Sequence, residues 1–139
     1  MTVDDFPQSK AARGQSLTEF AVGITMLLIL LAGVLDLGRA YFTLLSLHDA
    51  AQEGALYGSL GPTDTGAIRA HVRTSSGWPV DFSTFTDAQI AINVHGPACA
   101  GSELMVTLQM DFILVAPFIG GSVLPLVAEA RDTVLVPPC

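Results

Sequence analysis

The residues with the clearest potential for chemistry lie at the start of an apolar stretch, where the chain reads Arg-Gly-Gln-Ser-Leu-Thr-Glu-Phe-Ala from Arg13. An acid such as Glu19 is costly in an apolar segment unless it is paired. Cleavage after Gly14 would free the α-amine of Gln15, and Glu19 of a neighbouring subunit can neutralise that cation when helices bundle in register. Alternatively, Glu19 lies at the membrane interface, where the first turn of a helix favours an anion. These residues alone do not decide between the two roles.

Histidines and carboxylates raise the question of an enzyme. His48 and Asp49 lie within two helical turns of Glu53, which places a base near two acids. The sequence has no His-Glu-x-x-His pair, no Gly-x-Ser-x-Gly elbow and no P-loop. Isolated His71 and His95 are typical of ordinary surface or partly buried histidines. We therefore predict a protein without catalytic residues, metal or cofactor.

Composition limits the classes of protein that the chain can represent. Its 139 residues suit one domain, and 50% hydrophobic against 14% charged residues excludes a disordered polymer. Six basic residues against thirteen acidic ones provide no electrostatic surface for nucleic acid.

The element that must position Glu19 is an apolar run near the N-terminus. Leu17–Leu37 contains only Glu19 and Asp36 as charged residues, and its length as a helix is roughly 30 Å, enough for a hydrocarbon core. A secretory signal is the alternative, because Lys10 and Arg13 precede the run. The run is longer than a usual signal core and no small-x-small site follows it before Asp36, which favours a retained span in the lipid bilayer.

Orientation depends on the same two cations. Lys10 and Arg13 favour a cytoplasmic N-terminus, since the acidic Asp4 and Asp5 weigh little in the positive-inside rule. The C-terminal part then lies outside the cytoplasmic membrane.

The helical pattern continues past the span to about Tyr57, because no proline interrupts the chain between Pro7 and Pro62. This outer half carries small residues four apart: Ala50, Gly54 and Gly58. They allow either another subunit's helix or the chain's own sheet to approach closely. Asp36 and Arg39 lie three apart and are interpreted as an interfacial anchor.

The remainder, 59–139, predicts a small external domain. A short helix capped by Thr63 or Asp64 runs to about Thr74, with Ile68 and Val72 facing inward. A loop at 75–79 follows, and then the period changes to two. The predicted strands are Ile90–Val94, Leu104–Leu114 and Val127–Val136, with an apolar connector at Ala116–Leu126 that is a loop or a short helix. The fold class is therefore α+β, with a long membrane helix, a short helix and an antiparallel sheet of about three strands.

The two cysteines flank the last two predicted strands. Cys99 precedes the strong strand and Cys139 follows the last one. If those strands are antiparallel neighbours, the cysteines converge and can form a disulfide in an oxidising compartment. Two unpaired thiols are the alternative.

Three sequence segments resemble TadE-like pseudopilins of the Tad pilus system: the Arg-Gly-Gln-Ser-Leu-Thr-Glu-Phe opening, Leu-Asp-Leu-Gly-Arg-Ala-Tyr at 35–41 and Ala-Ala-Gln-Glu-Gly-Ala at 50–55. The resemblance covers 13–58 and is weak in the tail. It implies cleavage by a prepilin peptidase between Gly14 and Gln15, and a minor-pilin or assembly role in a thin adhesive pilus. Glu19 and Phe20 match the acidic-aromatic pair that follows the cleavage site in such pilins.

These inferences divide the chain into a cytoplasmic leader at 1–14 that is removed, a long helix at 15–58 and the external domain at 59–139. The resemblance implies other pilin and pseudopilin subunits and an inner-membrane assembly platform with its ATPase as partners. The alternative is an uncleaved, membrane-tethered extracytoplasmic binding module.

Overall fold

The computed structural model describes residues 11–75, 77–116, 120–136 and 138. Two helices are followed by two single 3-10 turns and three strands. The bounds are α1 Ala11–Gly58, α2 Thr65–Thr74, the turns Phe82–Thr84 and Asp87–Gln89, β1 Ile90–His95, β2 Glu103–Ile113 and β3 Val123–Thr133. The predicted α+β fold is confirmed.

Helix α1 has two halves with different surroundings. From Gly14 to Leu35 its side chains are exposed or half-buried, while from Asp36 onward one face is buried. The buried positions recur every three or four residues, as one helix face requires. They are Asp36, Ala40, Thr43, Ser46, Leu47, Ala50, Ala51, Gly54, Ala55 and Gly58.

The sheet has the order β1-β2-β3, and both pairs are antiparallel. One face of β2 packs on α1 because Leu104, Val106 and Leu108 alternate with polar or less buried residues and are fully buried. Strand β2 runs opposite to α1: a Cβ at Gly58 would touch Leu104, one at Gly54 would touch Val106, and Asp36 meets the residues just after β2.

Strand β3 begins four residues earlier than predicted and ends at Thr133. The predicted connector at Ala116–Leu126 therefore extends too far toward the C-terminus, because Val123–Leu126 belongs to β3 and is not a loop or a short helix. Pro125 lies inside β3 and pairs with Asp111 of β2. A proline is tolerated there because β3 is an edge strand and needs no N–H donor on its open side. Residues 117–119 of the predicted connector lie outside the described part.

Helix α2 agrees with its sequence prediction. The side chain of Asp64 accepts a hydrogen bond of 2.9 Å from the N–H of Ala67, which caps the helix. Ile68 and Val72 are fully buried against α1 and the sheet. This packing closes the core at the end of α1 remote from the apolar half.

Candidate functional site

The predicted processing and register residues lie on the exposed half of α1. Gly14, Gln15, Glu19 and Phe20 are all exposed. The Nε2 of Gln15 donates a hydrogen bond of 3.0 Å to Oε1 of Glu19. The carboxylate is thus held by a neutral amide one helical turn away, and its pairing with another subunit stays a prediction.

The exposed half has the length of a membrane span. Gln15 to Leu35 corresponds to roughly 30 Å of helix, about the thickness of a hydrocarbon core. Within the described residues, one helix is long and apolar enough to cross a membrane, and its most apolar window is 6% buried. Most apolar side chains of this half are exposed in the described fold, as expected of a single-pass membrane protein.

Asp36 joins this helix to the external domain. It is 5% exposed, and its Oδ2 accepts hydrogen bonds from the backbone N–H groups of Val115 at 2.6 Å and Ala116 at 2.5 Å. Its Oδ1 accepts a bond of 2.9 Å from Arg39, whose guanidinium lies 5.2 Å from the centre of the Phe112 ring. A carboxylate with three donors is well satisfied although it is buried.

The sequence interpretation of Asp36 as an interfacial anchor beside Arg39 captured one of these three bonds. An acid in an apolar run indicated that a partner was needed. The partner N–H groups, however, lie 79 and 80 residues further along the chain, and nothing local to Asp36 identifies them.

The small residues of α1 face the chain's own domain. A Cβ added at Gly54 would lie 2.6 Å from Cγ2 of Val72, and one at Gly58 would lie 2.9 Å from Cδ1 of Ile68. Ala50 is buried on the same face, at 3% exposure. The face of α1 that carries these small residues therefore packs on α2 and β2 of the same chain.

The histidines do not converge with the acids into one site. Nε2 of His71 lies 3.4 Å from Oε1 of Glu53, and the His71 ring stacks on Tyr57 with 4.3 Å between ring centres. His48 and His95 are exposed on α1 and β1. Across the described ranges, no group of three or more His, Cys, Asp or Glu side chains could hold a metal ion.

Sequence reasoning did not find an apolar groove that lies beside the junction. It has a volume of about 880 Å³ and lies between α1, the turn that contains Trp78 and the end of β2. Its lining includes Val34, Leu35, Phe42, Trp78, Met110 and Ile113. The first two belong to the exposed half of α1, so the groove opens onto the surface of the predicted span.

Cys99 is buried at 7% exposure in the loop before β2. The chain after β3 runs beside this loop: the N–H of Gly101 donates to the carbonyl of Val134 at 3.0 Å, and the N–H of Val134 donates to Ser102 at 2.8 Å. Cys139 lies outside the described residues, so its pairing with Cys99 stays a prediction.

A family model described as TadE-like protein matches residues 14–56. The match begins at Gly14 and ends two residues before the end of α1, so it covers the long helix and leaves the external domain unmatched. Searches of the curated proteins and of the solved structures found no match. Residues 14–56 are therefore similar to TadE-like proteins, which confirms the resemblance that the N-terminal motif predicted.

Proposed function

We propose that this protein is a minor pilin or pseudopilin that acts in assembly of a Tad-type adhesive pilus. The TadE-like match over α1 carries the proposal, because it associates the chain with Tad pili, whose TadE-like proteins are structural rather than enzymatic. The division of α1 into an exposed apolar half and a half packed on a small domain supports it. Such a subunit can be stored in the inner membrane and then transferred into a bundle of helices, where helix contacts replace lipid contacts.

Processing by a prepilin peptidase between Gly14 and Gln15 is the second step of the proposal. A Cβ placed at Gly14 would meet nothing within 4 Å among the described residues. Glycine is also the least favourable residue of this segment for a helix, by about 1 kcal/mol relative to alanine. A glycine at this position therefore eases local opening of the chain for a protease.

The third step concerns Glu19. Removal of the leader would place a cation on Gln15 at the start of the span, on the cytoplasmic side. Glu19 is exposed and held only by a neutral amide among its described contacts, so it is available to the freed amine of a neighbouring subunit. Phe20 is 68% exposed next to it and can pack between helices.

N-terminal mass spectrometry of the protein from native membranes tests the processing step. We expect a mature chain that begins at Gln15 in the wild type, and retention of the leader when Gly14→Leu enlarges the cleavage position. Gly23→Leu is the matched control, because Gly23 is an equally open glycine of α1. A mature protein that retains Met1–Gly14 in working pili would favour the uncleaved, membrane-tethered binding module.

The chemical state of the new N-terminus tests the pairing separately. We expect a free α-amine on Gln15. Cyclisation of Gln15 to pyroglutamate would leave the processing step intact but would remove the cation that Glu19 is proposed to neutralise.

A further inference from the structure

The end of the sheet where β2 turns into β3 is unusually apolar. No charged residue occurs between Phe112 and Ala128. Four described side chains of this end are exposed: Ile113 by 58%, Val115 by 67%, Val123 by 56% and Leu124 by 41%. Together with Trp78, which is 92% exposed in the turn beside them, they are called the proximal rim.

The opposite end of the same sheet is charged. Glu103, Glu129 and Arg131 form ion pairs there, with 3.2 Å between Arg131 and Glu103, and Asp132 lies next to them. Of the charged residues in β2 and β3, four lie toward this end and Asp111 alone lies toward the apolar end, whereas a domain with water at both ends has no need of such a bias. The asymmetry indicates that the two ends meet different surroundings.

Helix α1 shows which surroundings each end meets. The charged end lies beside Gly58, whereas the backbone of Val115 is bonded to Asp36, the residue directly after the exposed apolar half. The proximal rim is therefore the end of the domain that faces the membrane span.

The rise per residue along α1 gives the distance of each part of the domain from the hydrocarbon core. If the hydrocarbon core ends near Leu35, Val115 lies within a few ångströms of it, inside a headgroup region that is roughly 5–8 Å thick. The carbonyl of Trp78 accepts a hydrogen bond of 3.1 Å from Ser46, roughly 15 Å along the helix from Asp36, so the Trp78 backbone lies outside the headgroup region and only its ring can reach the outer edge of that region. The Trp78 ring lines the groove that descends to Val34 and Leu35, and tryptophan is enriched at membrane interfaces.

We propose that the proximal rim is a second membrane contact, in which the exposed apolar side chains of the external domain enter the headgroup region of the lipid bilayer. The occupant is the lipid surface because the rim and its groove adjoin the exposed apolar surface of the span at Val34 and Leu35, and the charged groups that also line the groove, Arg39 and Asp111, lie where polar headgroups can meet them. With one contact at the span and another at the rim, the domain is held at a defined angle to the bilayer. The rim must leave the lipid when the subunit is extracted, whatever assembly it then joins.

Trp78 is the only tryptophan of the chain, so fluorescence can test the contact. In a Trp78→Phe background, Val115→Trp places the probe in the rim, and Leu135→Trp is the matched control. Leu135 is 57% exposed and its N–H donates to Ser59, at the charged end of the domain. The full chain is reconstituted in vesicles of phosphatidylethanolamine and phosphatidylglycerol, with acyl chains brominated near the headgroup or near the bilayer centre.

We expect bromine near the headgroup to reduce the emission of Val115→Trp about twofold, and to leave Leu135→Trp nearly unchanged. Equal quenching of the two probes, or quenching of neither, would overturn the proposal. A blue-shifted Val115→Trp emission that bromine does not change would also overturn it, because another copy of the chain would then cover the rim.

The native tryptophan provides a second measurement that does not depend on a substitution in the rim. In wild-type vesicles, acrylamide should quench Trp78 less than it quenches the tryptophan of the Leu135→Trp control. Equal quenching would contradict the contact. Neither measurement involves leader cleavage or pili, so its outcome is separate from that of the proposed function.

Discussion

At the scale of single residues, the carboxylate of Asp36 links two parts of the chain that lie 79 residues apart. It satisfies the N–H groups of Val115 and Ala116, where the chain leaves β2. Without it, these donors would face the apolar surface of α1 with no acceptor. Asp36 therefore marks where the exposed half of α1 ends and the half packed on the domain begins.

We expect Asp36→Ala to lower the free energy of unfolding by about 1–3 kcal/mol, the usual cost of leaving buried donors without acceptors. Denaturant unfolding of the protein in detergent micelles measures this. The control is Asp49→Ala, an exposed acid on the same helix, which should change the value by less than about 0.5 kcal/mol. Equal effects of the two substitutions would show that the buried bonds contribute nothing specific.

Glu19 acts in assembly rather than in folding, according to the proposal. Glu19→Ala should preserve membrane insertion, because it removes a charge from an apolar segment, and should reduce piliation. Membrane fractionation and pilus counts measure the two effects. Thr18→Ala, at the preceding exposed position, is the control. Normal piliation in Glu19→Ala would contradict the role in register.

At the scale of elements, the glycines of the packed half of α1 differ in what surrounds them. A Cβ placed at Gly54 would press on Val72 and Val106, whereas one placed at Gly38 would meet nothing within 4 Å. Substitution by alanine should therefore destabilise the fold at Gly54 and stabilise it at Gly38.

Gly54→Ala should destabilise the fold by about 1–3 kcal/mol through overpacking. Gly38→Ala should stabilise it by up to about 1 kcal/mol, because alanine is the better helix former. Thermal unfolding of both variants under the same detergent conditions provides the comparison. Stabilisation by Gly54→Ala would mean that α2 moves away from α1 easily.

An ion pair joins α2 to the turn before β1. The guanidinium of Arg73 donates to Asp87 and, through Nε, to the carbonyl of Phe85 at 2.8 Å. The hydrogen bond from Arg73 lowers the pKa of Asp87, against a smaller opposing effect of burial. The stabilisation is then complete above the unfolded pKa of the carboxylate and is lost as the pH falls through its lower folded pKa.

The difference in melting temperature between wild type and Asp87→Asn should accordingly shrink as the pH falls from about 6 to about 2. Asp87 is largely exposed, so the effect will be small. A difference that stays constant over this pH range for Asp87→Asn would exclude a contribution from the ion pair.

At the scale of the whole molecule, an apolar helix and a small domain meet along one face, and the domain is closed by the chain that follows β3. That closing segment is held to the Cys99 loop by Val134 and to the residue that follows α1 by Leu135, whose N–H donates to the carbonyl of Ser59 at 2.8 Å. A disulfide between Cys99 and Cys139 would secure it further.

We expect Cys99→Ser to lower the free energy of unfolding by about 3–4 kcal/mol, in the chain-entropy description of a crosslink. Cys139→Ser should cost the same, and the double variant should cost no more than either single one, because all three remove one bond. The intact protein should also have a nonreducing mass about two daltons below that of the reduced chain. Alkylation of both thiols without reduction would refute the pairing.

The sequence by itself determined the elements whose signals are local. The proline-free apolar run predicted α1, Asp64 with the inward Ile68 and Val72 predicted α2, and alternation predicted β2, because each of these signals arises between residues a few positions apart. The start of β3 was missed because Pro125 looks like a strand breaker until its strand is known to lie at an edge. The partners of Asp36, the filling of the Gly54 surface and the apolar groove were decided by the tertiary structure alone, since each requires distant segments to meet.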